Sequence, residues 1–576
     1  MIKDKILKNY IQALKKIGIS DSQAFLEDPK YFNFGDYSGT APLKFSKQLS
    51  KNPISIAKDI KNNFEKDNLV EKVEVVKPGF INFWISKKIL YNNLSEIINK
   101  NESYGKTDIF ENKKVLVEFT DPNPFKEFHI GHLYSNIVGE SLSRIHEFMN
   151  ANVKRANYQG DVGLHVAKSI YGMQKNMKEQ NISLEDLKNK DVKEKVNFMG
   201  KAYSYGANAY DQDKNAKEEI IKLNTKIYEL DNSVKELYEL GRKWSLKYFE
   251  YIYKRIGTKF DFYYFEKDMA KIGLKYVEKN MKSQVFEKNK GAIIFKGEKY
   301  GLHTRVFVNS QGLPTYEAKD LGLISAKYND FSYDLSLIIT DNEIKEYFKV
   351  ILKTLEIINP ELGAKTHHIT HGMVKLKGGK MSSRTGNIIT GEELIDKIKE
   401  NVFLIIKKGK DIPNNQIDNI SEKIALSAIK YSFLKVNTGH DITFDFKESL
   451  SLEGNSGPYL QYTYVRCKSV LDNSNIDNIK LPQQDLEKLE KEEINILRRL
   501  YKFPEIVIKA GKTYFPNLIC NYLYLLAQEY NLFYQKCPIL KADKKKKLFR
   551  LALTKSVGIV LKNGLYLLGI KTVDKM

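Results

Sequence analysis

The chain reads as a multidomain α/β protein, and three stretches of different pattern carry that reading. Over 111–400, short runs of strand formers alternate with helix-patterned segments, the arrangement of a doubly wound parallel sheet. Over 1–110, helical pieces mix with short strands, as in an α+β domain. Over 401–576 almost everything carries helical apolar periodicity, so this part is expected to be all-helical. At 576 residues and 42% hydrophobic content, the sequence can build several sizeable cores.

Each part has its own markers. In the first, Val73-Glu74-Val75-Val76 is a strand stopped by Lys77-Pro78-Gly79, and the run from Phe80 to Ile85 is a second. Tyr104-Gly105-Lys106 reads as a linker. The second part opens with a hydrophobic strand, 115–119, and a helical stretch begins near His129. Within it, about 168–255 is a charged, helix-patterned insertion with few strand formers. In the third part Pro413, Pro458, Pro482, Pro504, Pro516 and Pro538 punctuate the helices.

Lys plus Arg number 93 against 71 for Asp plus Glu, a formal net charge of +22. That excess favours a polyanionic partner through phosphate neutralisation, although a surface basic everywhere would give the same total. Cys467, Cys520 and Cys537 lack the paired spacing of a zinc site, and their odd number argues against a disulfide framework. Residues 1–20 are amphipathic and lysine-bearing, and no uncharged run reaches the ~18 residues of a membrane span. A soluble cytoplasmic protein with no membrane partner is expected.

Two motifs carry the chemistry. His129-Ile130-Gly131-His132 follows the strand and starts a helix. A helix start presents free backbone N–H groups and a partial positive charge, which favours phosphate by ~0.3–1 kcal/mol when exposed and up to ~2 when partly buried. Gly131 allows close backbone approach, and His129 and His132 share a helical face. The second motif, Gly378-Gly379-Lys380-Met381-Ser382-Ser383-Arg384-Thr385-Gly386, is a glycine-flanked basic loop able to follow a leaving pyrophosphate. Alone, either is ordinary: a histidine pair is often structural, and a basic loop is often a solvated one. Together they suit the binding of ATP while its α-phosphorus is attacked.

This order and separation resemble the class I aminoacyl-tRNA synthetases. The run Glu118-Phe119-Thr120-Asp121-Pro122-Asn123-Pro124-Phe125-Lys126-Glu127-Phe128 before the histidines narrows the resemblance to the arginyl-tRNA synthetase family. The resemblance implies a Rossmann-type catalytic domain over 111–400. It also implies an N-terminal tRNA-recognition domain over 1–110 and a helical anticodon-binding domain over 401–576. The expected reaction converts ATP and arginine to arginyl adenylate, then passes arginine to the terminal ribose of tRNA(Arg). Mg²⁺ is expected with ATP, with no dedicated protein metal site, and the resemblance implies a monomer. It gives catalytic roles to His129, His132, Lys380 and Lys126, and ATP contacts to His129, Gly131, His132, Lys380, Ser382 and Ser383. Lys126 and Lys380 both stand where the family often has one or the other.

A guanidinium is planar, always charged and rich in donors, so its pocket needs carboxylates and a flat apolar wall. Tyr316 and Asp320, one helical turn apart, supply both and resemble the family's arginine-binding helix. Glu118, Asn123, His129 and Glu266 complete the expected arginine set. A site that satisfies those donors rejects analogues lacking them without editing. Three positions depart from the family: Ile344 stands where a glutamine contacts the amino group, Tyr134 replaces an arginine, and His165 replaces a glutamine. Glu118, or a neighbour such as Asp341, is the expected substitute for that glutamine. For tRNA, the resemblance gives Phe80 and Asn82 in the first domain and Tyr459, Tyr462, Arg466, Tyr534 and Met576 in the last. Aromatic stacking and arginine–phosphate contact would suit an unpaired loop.

Overall fold

In the computed structural model the described residues are 2–19, 24–29, 31–377, 390–409, 412–476, 479, 481–482 and 486–576. They form two compact units. One comprises Met1–Gly105, Thr463–Ile506 and Tyr522–Asn563; the other comprises Lys106–Tyr462, Val507–Asn521 and Gly564–Met576.

The first unit holds an antiparallel sheet of β1 (Leu26–Glu27), β2 (Tyr37–Gly39), β3 (Val70–Val76) and β4 (Phe80–Ile85), in the order β1-β2-β4-β3. Its core forms where Phe83 of β4 meets Tyr10 edge-on at 5.7 Å and Phe64 at 5.0 Å. Tyr104 is buried in this unit, although a linker was expected there. Its hydroxyl accepts from Asn93 Nδ2 at 3.0 Å and donates to Leu500 O at 3.2 Å. An aromatic ring with those partners is core, and the boundary between units falls just after it, at Gly105.

The second unit is built on five parallel strands. They are β5 (Lys114–Glu118), β6 (Asn152–Gln159) and β7 (Phe262–Phe265), then β11 (Leu335–Asp341) and β12 (Thr366–His371). Between them, β8 (Glu287–Asn289), β9 (Ala292–Phe295) and β10 (Arg305–Val308) make a small antiparallel sheet. The parallel order is β12-β11-β5-β6-β7, so the winding reverses between β5 and β11. Such a reversal opens a crevice at the carboxyl ends of the strands, where ligands bind in doubly wound sheets. The helix Ile130–Phe148 packs tightly under that crevice: a Cβ on Gly139 would lie 2.1 Å from Phe119 Cγ.

The insertion is helical throughout, from Leu164–Glu179 to Asn232–Ile256. Among its described residues, the region after residue 400, expected to be all-helical, carries one short strand. It is β14 (Ile442–Phe444), paired in parallel with β13 (Val374–Leu376), where β-branched and aromatic residues favour extension. The second unit is also closed by its last segment. Lys430 is buried, and its ammonium donates to Ile256 O and Gly569 O, both at 2.6 Å. Ser141 and Arg144 of the helix Ile130–Phe148 donate to Leu567 O at 2.9 Å and Tyr566 O at 3.2 Å. Among the described residues no helix is long and apolar enough to cross a membrane.

Candidate active site

The crevice between β5 and β11 holds two cavities that share a wall. One, of about 520 Å³, is lined by His129, Gly131 and His132, by Thr120 and Asp121 after β5, and by Thr340 and Asp341 at the end of β11. The other, of about 380 Å³, is lined by Glu118, Glu266, Tyr316, Glu317, Asp320 and Tyr347 among others. Asp121, Asn123, Thr340 and Ile344 belong to both.

The histidines shape the first cavity by capping each other. His129 is the N-cap of the helix Ile130–Phe148 and its Nδ1 accepts from His132 N at 3.3 Å. His132 Nδ1 in turn accepts from His129 N at 3.3 Å, and the rings stack with centroids 3.4 Å apart. An Nδ1 that accepts a backbone N–H has no proton, so in the neutral ring the proton is on Nε2, which remains a donor. Burial, reinforced by nearby Lys126, lowers His129 to about 4, and burial holds His132 well below its usual range. Both rings are therefore neutral donors at physiological pH. A Cβ on Gly131 would meet the His129 ring at 3.0 Å, so the glycine also makes room for its neighbour's side chain.

The loop that reaches the helix is held under strain. Thr120, Asp121 and Phe125 all have positive φ, at 80°, 43° and 70°. Thr120 N donates to Ser135 Oγ at 3.0 Å, and Ser135 Oγ donates to Ile339 O at 3.1 Å, which ties loop, helix and β11 together. Phe125 N donates to Ser245 Oγ at 2.9 Å, and the bare Gly241 makes room for the Phe125 ring. The insertion thus braces the signature loop, a role no periodicity revealed.

The second motif, 378–386, lies wholly outside the described residues, and Lys380, Ser382 and Ser383 with it. Its flanks are close to the first motif: Met373 and Val374 line the first cavity, Thr390 bridges to His129, and Gly391 N donates to Phe128 O at 2.8 Å. Lys126 lines neither cavity. Its ammonium lies over the Tyr203 ring of the insertion, 4.7 Å from the centroid.

The second cavity is dense in charge. Glu118 is buried and bonded to the fully buried Lys327. Glu266, first residue of the helix Glu266–Lys279, is buried against Lys319, and Arg305 meets Glu317 at 3.3 Å. Asp320 accepts instead from Tyr347 Oη at 2.5 Å, and burial pushes its carboxyl up to about 7. Tyr316 lines this cavity and is 60% exposed. A Cβ on Gly160 would lie 2.3 Å from Asn123 Oδ1 and 3.1 Å from Glu266 Oε2, so this glycine leaves space for two expected site residues. The Gly160 carbonyl accepts from His165 Nε2 at 2.7 Å, which uses that histidine for support. Tyr134 is core, with its ring 4.4 Å from His371 and 5.1 Å from Phe433. Glu118 and Asp341, the two expected substitutes for the family glutamine, are both engaged. Glu118 is held by Lys327, and Asp341 accepts from Glu343 N at 2.9 Å and lines only the first cavity.

A catalytic-domain profile described as class I tRNA synthetases (R) matches residues 93–446. The chain belongs to the arginyl-tRNA synthetase family. It is thus a class I aminoacyl-tRNA synthetase, an ATP-using ligase. An arginyl-tRNA synthetase N-terminal domain profile matches 3–85, and a DALR anticodon-binding domain profile matches 460–576. An arginine–tRNA ligase of Fusobacterium nucleatum is 32% identical over 94% of both chains. One from Halothermothrix orenii is 29% identical over 100% of this chain and 99% of its own. Among solved structures, the Thermus thermophilus arginyl-tRNA synthetase covers the whole chain with TM-score 0.83 at 22% identity. The Plasmodium falciparum enzyme gives 0.80 at 24%, over 100% of this chain and 99% of its own; both share the synthetase fold.

The positions expected to meet tRNA in this synthetase are mixed in character. In the first unit Phe80 is half-buried, while Asn82 is buried and accepts from Ser38 Oγ at 2.7 Å. Asn82 bonds within the sheet, in a strand whose residues from Ile81 to Ile85 are all buried. Arg466 lies over the Tyr534 ring at 5.1 Å and donates to Asn531 Oδ1 at 2.5 Å, with Tyr534 43% exposed. In the second unit Tyr459 is buried and Tyr462 half-buried. Met576 lines an apolar cavity of about 230 Å³ with Val402, Ile406 and Pro458.

Proposed function

We propose that this arginine–tRNA ligase runs both steps of its reaction across the shared wall of the two cavities. ATP occupies the cavity of His129, Gly131 and His132, and arginine occupies the cavity of Asn123, Glu266, Tyr316 and Asp320. An arginine carboxylate oxygen attacks the α-phosphorus, the bond to the bridging oxygen breaks, and pyrophosphate leaves. A hydroxyl of the terminal tRNA ribose then attacks the acyl carbon and AMP departs. The neutral histidines donate through Nε2 to charge that grows on the phosphate. Lys380, with Ser382 and Ser383, follows the leaving group, Lys126 supplies a second cation, and Mg²⁺ arrives as part of the ATP substrate.

The observation that carries this reading is the shared wall. It allows one ligand's carboxylate to reach a helix-capping histidine pair while its side chain faces carboxylates. For tRNA, the proposal assigns recognition to 1–110 and to 401–576, with Phe80, Tyr459, Tyr462, Arg466, Tyr534 and Met576 as contacts. The enzyme acts in the cytoplasm as a monomer.

Pyrophosphate exchange across the twenty amino acids, with tRNA present, tests the reading. Exchange with arginine alone is expected; exchange with lysine, or none, contradicts it. Asp320→Asn should weaken arginine far more than ATP, and equal weakening of both would remove Asp320 from the arginine pocket. Lys380→Ala should depress adenylate formation and leave tRNA affinity nearly unchanged.

A further inference from the structure

Arginine carries two positive groups, and the amino-acid cavity keeps two carboxylates for them. Five acidic side chains line it: Glu118, Asp121, Glu266, Glu317 and Asp320. Three already hold a cation, Lys327 on Glu118, Lys319 on Glu266 and Arg305 on Glu317. Removing those three from the five leaves Asp121 and Asp320. Among the described residues neither is in an ion pair; Asp121 accepts from Tyr158 N at 2.8 Å and Asp320 from Tyr347 Oη at 2.5 Å.

Their positions divide the ligand between them. Asp320 lines only the amino-acid cavity, whereas Asp121 lines both. The carboxylate of arginine must reach the α-phosphorus, and its guanidinium must point the other way. The α-carbon, with its ammonium, therefore lies at the shared wall of Asp121, Asn123, Thr340 and Ile344. Only one of those four, Asp121, can carry a charge. We infer that Asp121 holds the α-ammonium of arginine and so selects an amino acid over other guanidinium compounds. This rests on the proposed assignment of the two cavities.

The local structure suits the role. Tyr158 N–H fixes Oδ1, which leaves Oδ2 for the ligand. The backbone φ of 43° is left-handed, a conformation Asp and Asn tolerate better than most residues. Burial first, then the neighbouring Glu118, pushes the Asp121 carboxyl up, and an arriving ammonium supplies the countercharge. Asn123 adds a neutral acceptor beside it, while Ile344 cannot accept at all.

Asp121→Asn fits the same backbone and can still accept from Tyr158 N–H. The test compares arginine with 5-guanidinopentanoate, which is arginine without its α-amino group, by calorimetry on the full chain with tRNA present. Arginine is expected to bind Asp121→Asn on the order of 30-fold or more weaker, the loss typical when one partner of a buried charge pair is removed. The deaminated analogue should change by less than about twofold. Equal weakening of both ligands, or no weakening of arginine, overturns the inference. Asp320→Asn, run in parallel, should weaken both ligands. If it does while Asp121→Asn weakens neither, this inference alone falls; if it affects neither ligand, the cavity assignment falls and this inference with it.

Discussion

The two halves of the crevice handle charge in opposite ways. The cavity assigned to ATP has no lysine or arginine among its described lining residues; its titratable lining is the histidines His129, His132 and His371 and the acids Asp121 and Asp341. The cavity assigned to arginine is crowded with fixed charge, most of it already paired. A polyphosphate's charge shifts from substrate to leaving group as it reacts, so permanent cations in the walls would hold the product as firmly as the substrate. A guanidinium keeps its charge throughout, so its partners can be fixed in advance, with lysines compensating the surplus acids. The contrast is between a site that must follow moving charge and a site that must recognise constant charge.

That contrast can be broken most severely at Lys327. Lys327→Met leaves Glu118 buried without its partner and should lower stability by ~3–5 kcal/mol in urea unfolding. On the ATP side, His129→Ala removes a cap worth ~1 kcal/mol of stability. Its main effect should be a 10²–10³-fold fall in exchange rate, of the order seen when one preorganised donor is lost. A large stability loss at His129 with little rate loss would reverse the comparison.

Protons sharpen it further. Burial raises Asp320 to about 7, with Glu118 and Glu266 adding to the effect and Tyr347 and Lys327 opposing it. Arginine needs the ionised form, so binding is weakened below that pKa, and the raised Asp121 carboxyl acts in the same direction. Arginine Kd should therefore fall by about tenfold or more from pH 6 to pH 8. His129 at about 4 stays neutral over that range, so ATP affinity, corrected for the titration of ATP itself, should be flat. A flat arginine profile would place Asp320 outside the contact. A milder change is Gly160→Ala, which must push Asn123 aside and should raise arginine KM several-fold, by about 1 kcal/mol, with ATP KM unchanged.

Much of this was legible in the sequence where chemistry follows local spacing. The helix starts at the histidine motif, and Tyr316 and Asp320 line one cavity from the same helical turn. What stayed hidden depends on distant partners or on special backbone. Lys327 pairs with Glu118 across 209 residues, and Lys319 with Glu266 across 53. Neither separation has a period that sequence can display. Asp121 lies in a strained loop with φ 43°, where helix and strand rules give no direction for a side chain. Asn82 is buried with its strand neighbours on both faces of β4, and whether a strand is covered on one face or two is decided by the elements packed on it, not by its own sequence.

The buried amine of Lys430 ties the chain's last residues to the end of the insertion, while Ser141 and Arg144 tie them to the helix that carries the histidines. Clipping the chain before Gly569 would strip that amine, already lowered to about 7 by burial, of one of its two carbonyls and leave a polar group unpaired in a dry interior. A trimmed product should then melt earlier and lose activity even though every catalytic side chain is still present. Integrity of the tail is thus a quality check on any preparation of this enzyme, readable by intact mass before a single turnover is measured.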